Sequence, residues 1–395
     1  MTPAVIACSL AEAHQRLGEK SLGQPASAPA LARRLRDAGA SAVCIVVDAS
    51  RLGDRLLVWI DTAHAQGWLA SSPVAALPRS QASDFFARHL AAAMEQGFVV
   101  ADAAVLAIMA TTRDLRAADR ADPSPDADAD NAADATNTDF VQHPTLLPQL
   151  SWGEEAVFSD APSAPARPLD LYAIVDSAER VQQVLAAGVK TVQLRVKKPQ
   201  DRSVGWDDIL RLEVQRSLAA SHAAGAELFV NDHWHAAAQA GARSVHLGQE
   251  DLLALGNAGR AALQASGMAL GISSHSLWEL CRARTLRPRY IACGPVWPTL
   301  TKVMPWRAQG LDNLSWWCRM AGYPVVAIGG ILGAEQVFDA ARTGADGICI
   351  VRGLGDQPGS VLSALQAAMH AGRASAGKPG AKRVGPHPSL SPTPA

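Results

Sequence analysis

The chain has almost no net charge: 36 Lys and Arg against 37 Asp and Glu leave −1 over 395 residues. It shows no basic stripe, which argues against nucleic acid as a partner. An anionic substrate must then be held by local cations and a metal rather than by a long-range field. The six cysteines, Cys8, Cys44, Cys281, Cys293, Cys318 and Cys349, form no CxxC pair. That excludes a zinc ribbon or disulfide framework and fits reduced, mostly buried thiols. No stretch is long enough to span a membrane, and the N-terminus lacks a charged segment followed by a long apolar run. The expectation is a soluble, cytoplasmic protein with no membrane partner. A Ser/His/Asp triad and a metal-binding His cluster are missing as well.

Apolar residues, in contrast, are plentiful. They make up 48% of the chain, enough for a sizeable core, and the length suits two domains or one barrel with an extension. Composition suggests the boundaries. Residues 1–112 read as a small α/β domain. Residues 113–168 read as a disordered or loosely ordered linker, because their Asp/Ala/Pro-rich run and the later APSAPARP bury too little apolar surface to offset ordering. Residues 169–373 carry a regular pattern, and 374–395, rich in Gly, Pro and Ser, read as a disordered tail.

The regular part alternates short β-branched runs with amphipathic segments. The runs are LYAIVD at 171, KTVQLRV at 190, ELFVND at 227, SVHL at 244, ALGIS at 269, YIACG at 290, PVVAIGG at 324 and GICIVRG at 347. Eight such runs in strict alternation with helices predict a (β/α)8 TIM barrel, an α/β fold whose buried parallel strands read as continuous apolar stretches. A glycine before many strands (AAGVK, AAGAE, QAGAR, RTGAD) is placed to cap the preceding helix.

Barrel active sites lie at the carboxyl ends of the strands, so the residues that follow each run carry the information. After the second run, alternation directs Gln193, Arg195 and Lys197 to one side, where two cations and an amide suit a diphosphate; a solvated basic loop is the competing reading. Asn231 and Asp232 follow the third run, and His246 with Gln249, Glu250 and Asp251 the fourth. Two carboxylates on adjacent loops beside those cations suit Mg²⁺ shared with phosphate oxygens, although a lone Asp after a strand is more often a helix cap. Ser273 offers a hydroxyl after the fifth run. Thr299, Thr301 and Lys302 form a Pro-bounded clamp after the sixth. Gly329–Gly330 and Val351–Arg352 stand where barrels bind phosphate with backbone amides. Trp278, Trp316, Trp317 and Met268 read as packing, and His222 and His275 as exposed or capping residues.

QLRVK, FVND, VHLGQED, LGIS, GPVWPTLTK, VVAIGGI and GADGI occur in the order seen in thiamine phosphate synthases, and from about Leu171 to Met369 the chain resembles that family. The resemblance implies a transferase that joins a pyrimidine diphosphate to a thiazole phosphate and releases pyrophosphate. It implies that Gln193, Arg195, Lys197, Asn231, Ser273 and Lys302 bind the pyrimidine diphosphate, with Arg195, Lys197, Ser273 and Lys302 the catalytic set. Asp232 and Asp251 would carry Mg²⁺, and His246 would lie against the pyrimidine. Thr299, Thr301, Gly330, Val351 and Arg352 would surround the thiazole phosphate. Two positions depart from the family pattern: Val196 stands where Glu is usual, and Arg352 where Ser is usual. The first 112 residues, with a strand at SAVCIVVD and two helices in DFFARHLAAAMEQGFVVADAAVLAIMA, resemble the C-terminal part of a hydroxymethylpyrimidine phosphate kinase of the ribokinase type. The kinase's Gly-Thr-Gly-Cys anion hole is absent, and Gln81-Ala82-Ser83-Asp84 stands near its place, so a non-catalytic remnant is expected. Two rival readings are a thiazole tautomerase, a sister barrel with His where Pro295 stands, and a non-catalytic module that binds thiamine precursors. Oligomeric state is left open.

Overall fold

The computed structural model describes residues 4–18, 27–49, 54–74, 81–119, 139–158, 167–197, 205–298, 306–376 and 384–390. Contacts divide the chain into two units. One comprises Met1–Asp160 with Ser276–Thr285 and Gly385–Ala395; the other comprises Ala161–His275 with Leu286–Val384.

The first unit runs β1 (Val5–Ser9), α1 (Leu10–Arg16), α2 (Ala28–Asp37), β2 (Ala42–Ala49), β3 (Arg55–Thr62), β4 (Gln66–Ala70), α3 (Ala82–Glu95), α4 (Val100–Asp119) and β5 (Gln149–Leu150). Its sheet follows chain order, with β1 parallel to β2 and the remaining neighbours antiparallel. Ser9 closes a capping box with Glu12 and starts α1 directly at the end of β1. Trp59 and Trp68 sit opposite each other in register and meet edge to face at 5.3 Å, an arrangement that aromatic quadrupoles favour. The Gln81–Asp84 segment opens α3, with no side-chain cap from Gln81.

Within the stretch 113–168, expected as a linker, the described residues include a helix end and a strand. Helix α4 continues to Asp119, and β5 pairs with β4. Leu115, Leu147 and Leu150 are buried and supply the apolar surface that an Asp/Ala-rich average conceals. The 374–395 tail likewise begins within a helix that ends at Ser375 and includes a buried Ser389.

In the second unit, the strands of a closed barrel are β6 (Asp170–Val175), β7 (Thr191–Leu194), β8 (Glu227–Asn231), β9 (Ser244–Leu247), β10 (Ala269–Ser274), β11 (Tyr290–Cys293), β12 (Val325–Ala327) and β13 (Gly347–Ile350). Each pairs in parallel with its chain neighbour, and β13 closes back on β6. All eight expected runs are strands of this barrel. Every residue of β7, β9, β11 and β13 is buried, which explains why they read as unbroken apolar stretches. The intervening helices include α5 (Ala178–Ala186), α6 (Trp206–Ala223), α7 (Trp234–Gln239), α8 (Gln249–Ala254), α9 (Gly256–Ala265), α10 (Leu277–Arg284), α11 (Gly310–Met320), α12 (Ala334–Arg342) and α13 (Pro358–Ser375). Helix α5 shows the local logic: Ser177 accepts from the Arg180 N–H, and Val181, Val184 and Leu185 form one buried stripe. The glycines expected as helix caps, Gly188, Gly225, Gly241 and Gly344, all take left-handed φ. Trp278, Trp316 and Trp317 are buried as packing residues, and all six cysteines are free thiols. None of the described helices is long and apolar enough to cross a membrane.

Helix α10 groups with the first unit. There the fully buried Asp102 carboxylate accepts from the Trp278 N–H at 2.8 Å, in the first turn of α10. Burial raises its pKa to about 7, against the lowering effect of that bond; the nearby Glu279 charge adds to the rise. A carboxyl raised in the folded state stabilises the fold fully when both states are protonated, and that contribution is lost as pH rises through the folded-state value. The melting temperature of the wild type should therefore fall relative to that of Asp102→Asn between about pH 4, the ordinary aspartate range, and about pH 7. Parallel melting curves across that window would show that the Asp102 carboxyl ionises alike in the folded and unfolded states and that its pKa is not raised.

Candidate active site at the carboxyl ends of the barrel strands

Barrel register sets the site from below. Gln193 lies beside Ile174 and Phe229, Asn231 beside His246, His246 beside Gly271, and Gly271 beside Tyr290. Successive residues on a strand face opposite ways, so these neighbours line the interior in layers. Tyr172, Phe229 and Tyr290 pack together there, with ring centroids 5.1 to 5.8 Å apart. The His246 ring stacks on Tyr290. The chain has three tyrosines, and two of them, Tyr172 and Tyr290, are bonded to each other at 2.7 Å in this core.

Gln193 is buried and donates through Nε2 to the Tyr172 hydroxyl at 3.1 Å. His246 Nδ1 is 2.7 Å from the Tyr290 hydroxyl, and its Nε2 is 2.8 Å from Ser273 Oγ. Burial pushes the His246 pKa down to about 3, and the Arg195 and His275 charges push the same way. The ring is therefore neutral at physiological pH. Ser273, partly open at the end of β10, is the upper end of this buried chain of polar groups.

Charged groups collect on the rim above. The Arg195 N–H donates to Val175 O and extends the β6–β7 ladder one residue beyond β7. The guanidinium bears electrostatically on both Asp232 and His246. Asp232 follows β8 in the left-handed region at φ 62°, with its N–H bonded to His246 O. Aspartate tolerates that conformation better than most residues, and such strain is frequent at functional positions. Its carboxyl is held above the usual aspartate range by partial burial first and then by the negative charge of Asp251, with Arg195 opposing. The expected pair of acids and one cation are therefore neighbours. Asp251 also serves its own helix, since its Oδ2 accepts from Gly248 N at 3.1 Å and caps α8. Asp251 thus caps α8 while its charge bears on Asp232. Lys197 is exposed two residues beyond Arg195. Thr299, Thr301 and Lys302 lie outside the described residues.

The loops expected to bind phosphate are held by close backbone packing. The Val296 and Trp297 N–H groups donate to Ile328 O and Gly329 O, locking the loop after β11 against the loop after β12. Gly330 has φ +75°, and a Cβ on it would come within 2.5 Å of Trp297 Cβ and 2.9 Å of the Trp297 carbonyl. A Cβ on Gly353 would meet Leu332 O at 2.7 Å, so the loops after β12 and β13 also touch. Val351 and Arg352 are exposed beside them. Tyr172 and Tyr290 were not among the expected site residues. A tyrosine inside an apolar strand reads as core, and the only signal was the rarity of tyrosine in this chain.

A family model described as thiamine monophosphate synthase matches residues 171–354. The thiamine-phosphate synthase of Neisseria meningitidis serogroup A is 43% identical over 203 residues, which is 51% of this chain and 94% of the relative. The chain belongs to the thiamine-phosphate synthase family. The synthases of Rhizobium etli and Yersinia pestis are 44% and 45% identical over 188 and 191 residues, covering 47% and 48% of this chain and 87% and 84% of those relatives. Among solved structures, a thiamine phosphate pyrophosphorylase from Pyrococcus furiosus aligns at 26% identity with a TM-score of 0.45, covering 52% of this chain and 97% of that one. In this synthase family member, Gly330→Ala should cost about 1–3 kcal/mol through its left-handed φ and the Trp297 clash. Chemical denaturation measures it, and an unchanged midpoint would show that the two loops do not press together there.

Proposed function

We propose that the barrel condenses 4-amino-2-methyl-5-(diphosphooxymethyl)pyrimidine with a thiazole phosphate, either the carboxylate or 4-methyl-5-(2-phosphooxyethyl)thiazole. The products are thiamine phosphate and pyrophosphate. The observation that carries this reading is the rim cluster, in which Arg195 bears on Asp232 beside Asp251 above a buried polar core.

The chemistry follows from where charge develops. As the bond from the pyrimidine methylene to the diphosphate breaks, negative charge grows on the leaving group and positive charge on the carbon. Arg195 and Lys197 face the first, and the Ser273 hydroxyl adds a donor. The thiazole nitrogen then captures the cation with its lone pair. No proton transfer is required in that step, which agrees with a site lacking an obvious general base. Backbone amides near Gly330, Val351 and Arg352 orient the thiazole through its phosphate, and positioning supplies much of the remaining acceleration. Arg352, where the family usually has Ser, keeps its backbone amide and adds a cation.

Asp232 and Asp251 offer hard oxygen donors whose mutual repulsion a divalent cation relieves, so they fit Mg²⁺. Among the described residues there is no group of three or more His, Cys, Asp or Glu side chains that could hold an ion. The substrate diphosphate and water would supply the other oxygens, as Mg²⁺ prefers. The ion, when bound, would add positive charge at the leaving group. The setting we propose is the cytoplasm, with small molecules as the partners.

Purified full-length protein mixed with both substrates and Mg²⁺ should yield thiamine phosphate by chromatography, and an absence of product would remove the proposal. Arg195→Ala and Asp232→Asn should each lower kcat/KM by about 100-fold or more, the scale of a lost electrostatic contact in a transition state. For Asp232→Asn and Asp251→Asn, the Mg²⁺ concentration at half-maximal rate should also rise. An unchanged Mg²⁺ titration in both variants would place the metal elsewhere. For the first 112 residues we propose a kinase-like remnant without catalysis, to be checked by assaying hydroxymethylpyrimidine phosphorylation by the full chain.

A further inference from the structure

Polar groups inside the barrel are linked in series: Gln193 Nε2 to Tyr172 Oη at 3.1 Å, Tyr172 Oη to Tyr290 Oη at 2.7 Å, Tyr290 Oη to His246 Nδ1 at 2.7 Å, and His246 Nε2 to Ser273 Oγ at 2.8 Å, with the Gln193 side chain also bearing on Tyr290. We infer that Tyr290 is a positioning residue for the condensation. Its hydroxyl donates to His246 Nδ1 and sets the Nε2–H tautomer, which in turn donates to Ser273 Oγ and leaves the Ser273 proton to be given to the diphosphate. This inference rests on the synthase reading of the site.

The direction of the file follows from counting protons. In the orientation the structure gives the amide, Gln193 Nε2 faces Tyr172 and donates, so Tyr172 accepts from Gln193 and directs its own proton to Tyr290. In the reverse sense, Tyr290 would donate to Tyr172, and the Tyr172 proton would face the apolar rings of the core, a costly loss in a buried place. Tyr290, having accepted from Tyr172, has one proton left, and the acceptor beside it is His246 Nδ1. Both phenols stay protonated because burial raises them well above the usual tyrosine range. The His246 ring is buried against two hydroxyls, so a neutral ring with a single N–H suits it. That N–H must then be on Nε2. Ser273 Oγ accepts it, and the Ser273 proton is free to point up at the partly open rim.

Tyr290 is held in place by more than the hydrogen bonds. A Cβ on Gly271 would fall 2.5 Å from the Tyr290 hydroxyl oxygen, so the absence of a side chain at 271 makes the space that the phenol fills. The His246 ring stacks on Tyr290 at an interplanar angle of 18°. Phe229 and Tyr172 meet Tyr290 edge-on from other sides. A hydroxyl fixed this firmly can select one tautomer of its neighbour.

Nitrogen-15 NMR of wild-type protein labelled at histidine reads the tautomer directly, with the His246 signals identified by their loss in His246→Asn. The expected result is a protonated Nε2 and an unprotonated Nδ1. A protonated Nδ1 overturns the inference, even in a fully active enzyme. Failure to form thiamine phosphate would instead overturn the reading of the reaction. In kinetics, Tyr290→Phe should lower kcat on the order of 10- to 100-fold, with a much smaller change in KM for the pyrimidine diphosphate, because the donor matters most as charge develops. Ser273→Ala combined with Tyr290→Phe should be no slower than Ser273→Ala alone, within about twofold. Losses that multiply would show that Tyr290 acts on something other than Ser273, and would overturn the inference.

Discussion

Inside a packed barrel, a buried polar group without a partner is costly, so polar side chains that point inward favour one another as partners. Here that constraint produces a file of amide, two phenols, imidazole and hydroxyl, drawn from β7, β6, β11, β9 and β10. An unpaired member would carry the full desolvation cost of a buried donor or acceptor, whereas a completed file costs little. The core is therefore as ordered in its hydrogen bonds as in its packing, and the reactive rim is built on top of a rigid base.

The rim follows a different rule. Asp232 and Asp251 are exposed and Arg195 is half-buried, and Asp251 and Arg195 both bear electrostatically on Asp232. Two acids near one cation leave local negative charge that only a further positive species can balance. That is the electrostatic reason behind the proposal that a metal and a diphosphate bind there together. Asp232 shares its left-handed backbone with Asp54, Asp170 and Arg287, so the charge cluster rather than the backbone marks the rim.

Much of this was legible in the sequence because barrel strands buried on both faces show as apolar runs and chemistry collects just past them. Asn231, Asp232, His246 and Ser273 all stand at such ends. The roles of Tyr172 and Tyr290 were not legible: each sits within its own apolar run, and the partners that give its hydroxyl a purpose come from strands up to 118 residues away. The sequence does not separate a helix cap from a rim acid at Asp251, since both ask for the same residue at the same place. Helix α4 runs on past residue 112 to Asp119, and Leu115 is buried within that part.

The empty place at Gly271 is occupied by its neighbour's phenol, and this ties the two positions into an exchange of volume. A larger residue at 271 demands a smaller one at 290, and the hydroxyl leaves with the ring. Drift at either position is thus not neutral. A lineage could convert this layer to plain hydrocarbon only by abandoning the proton order above it, so the glycine, a residue with nothing to react, is bound to the same fate as the serine at the mouth.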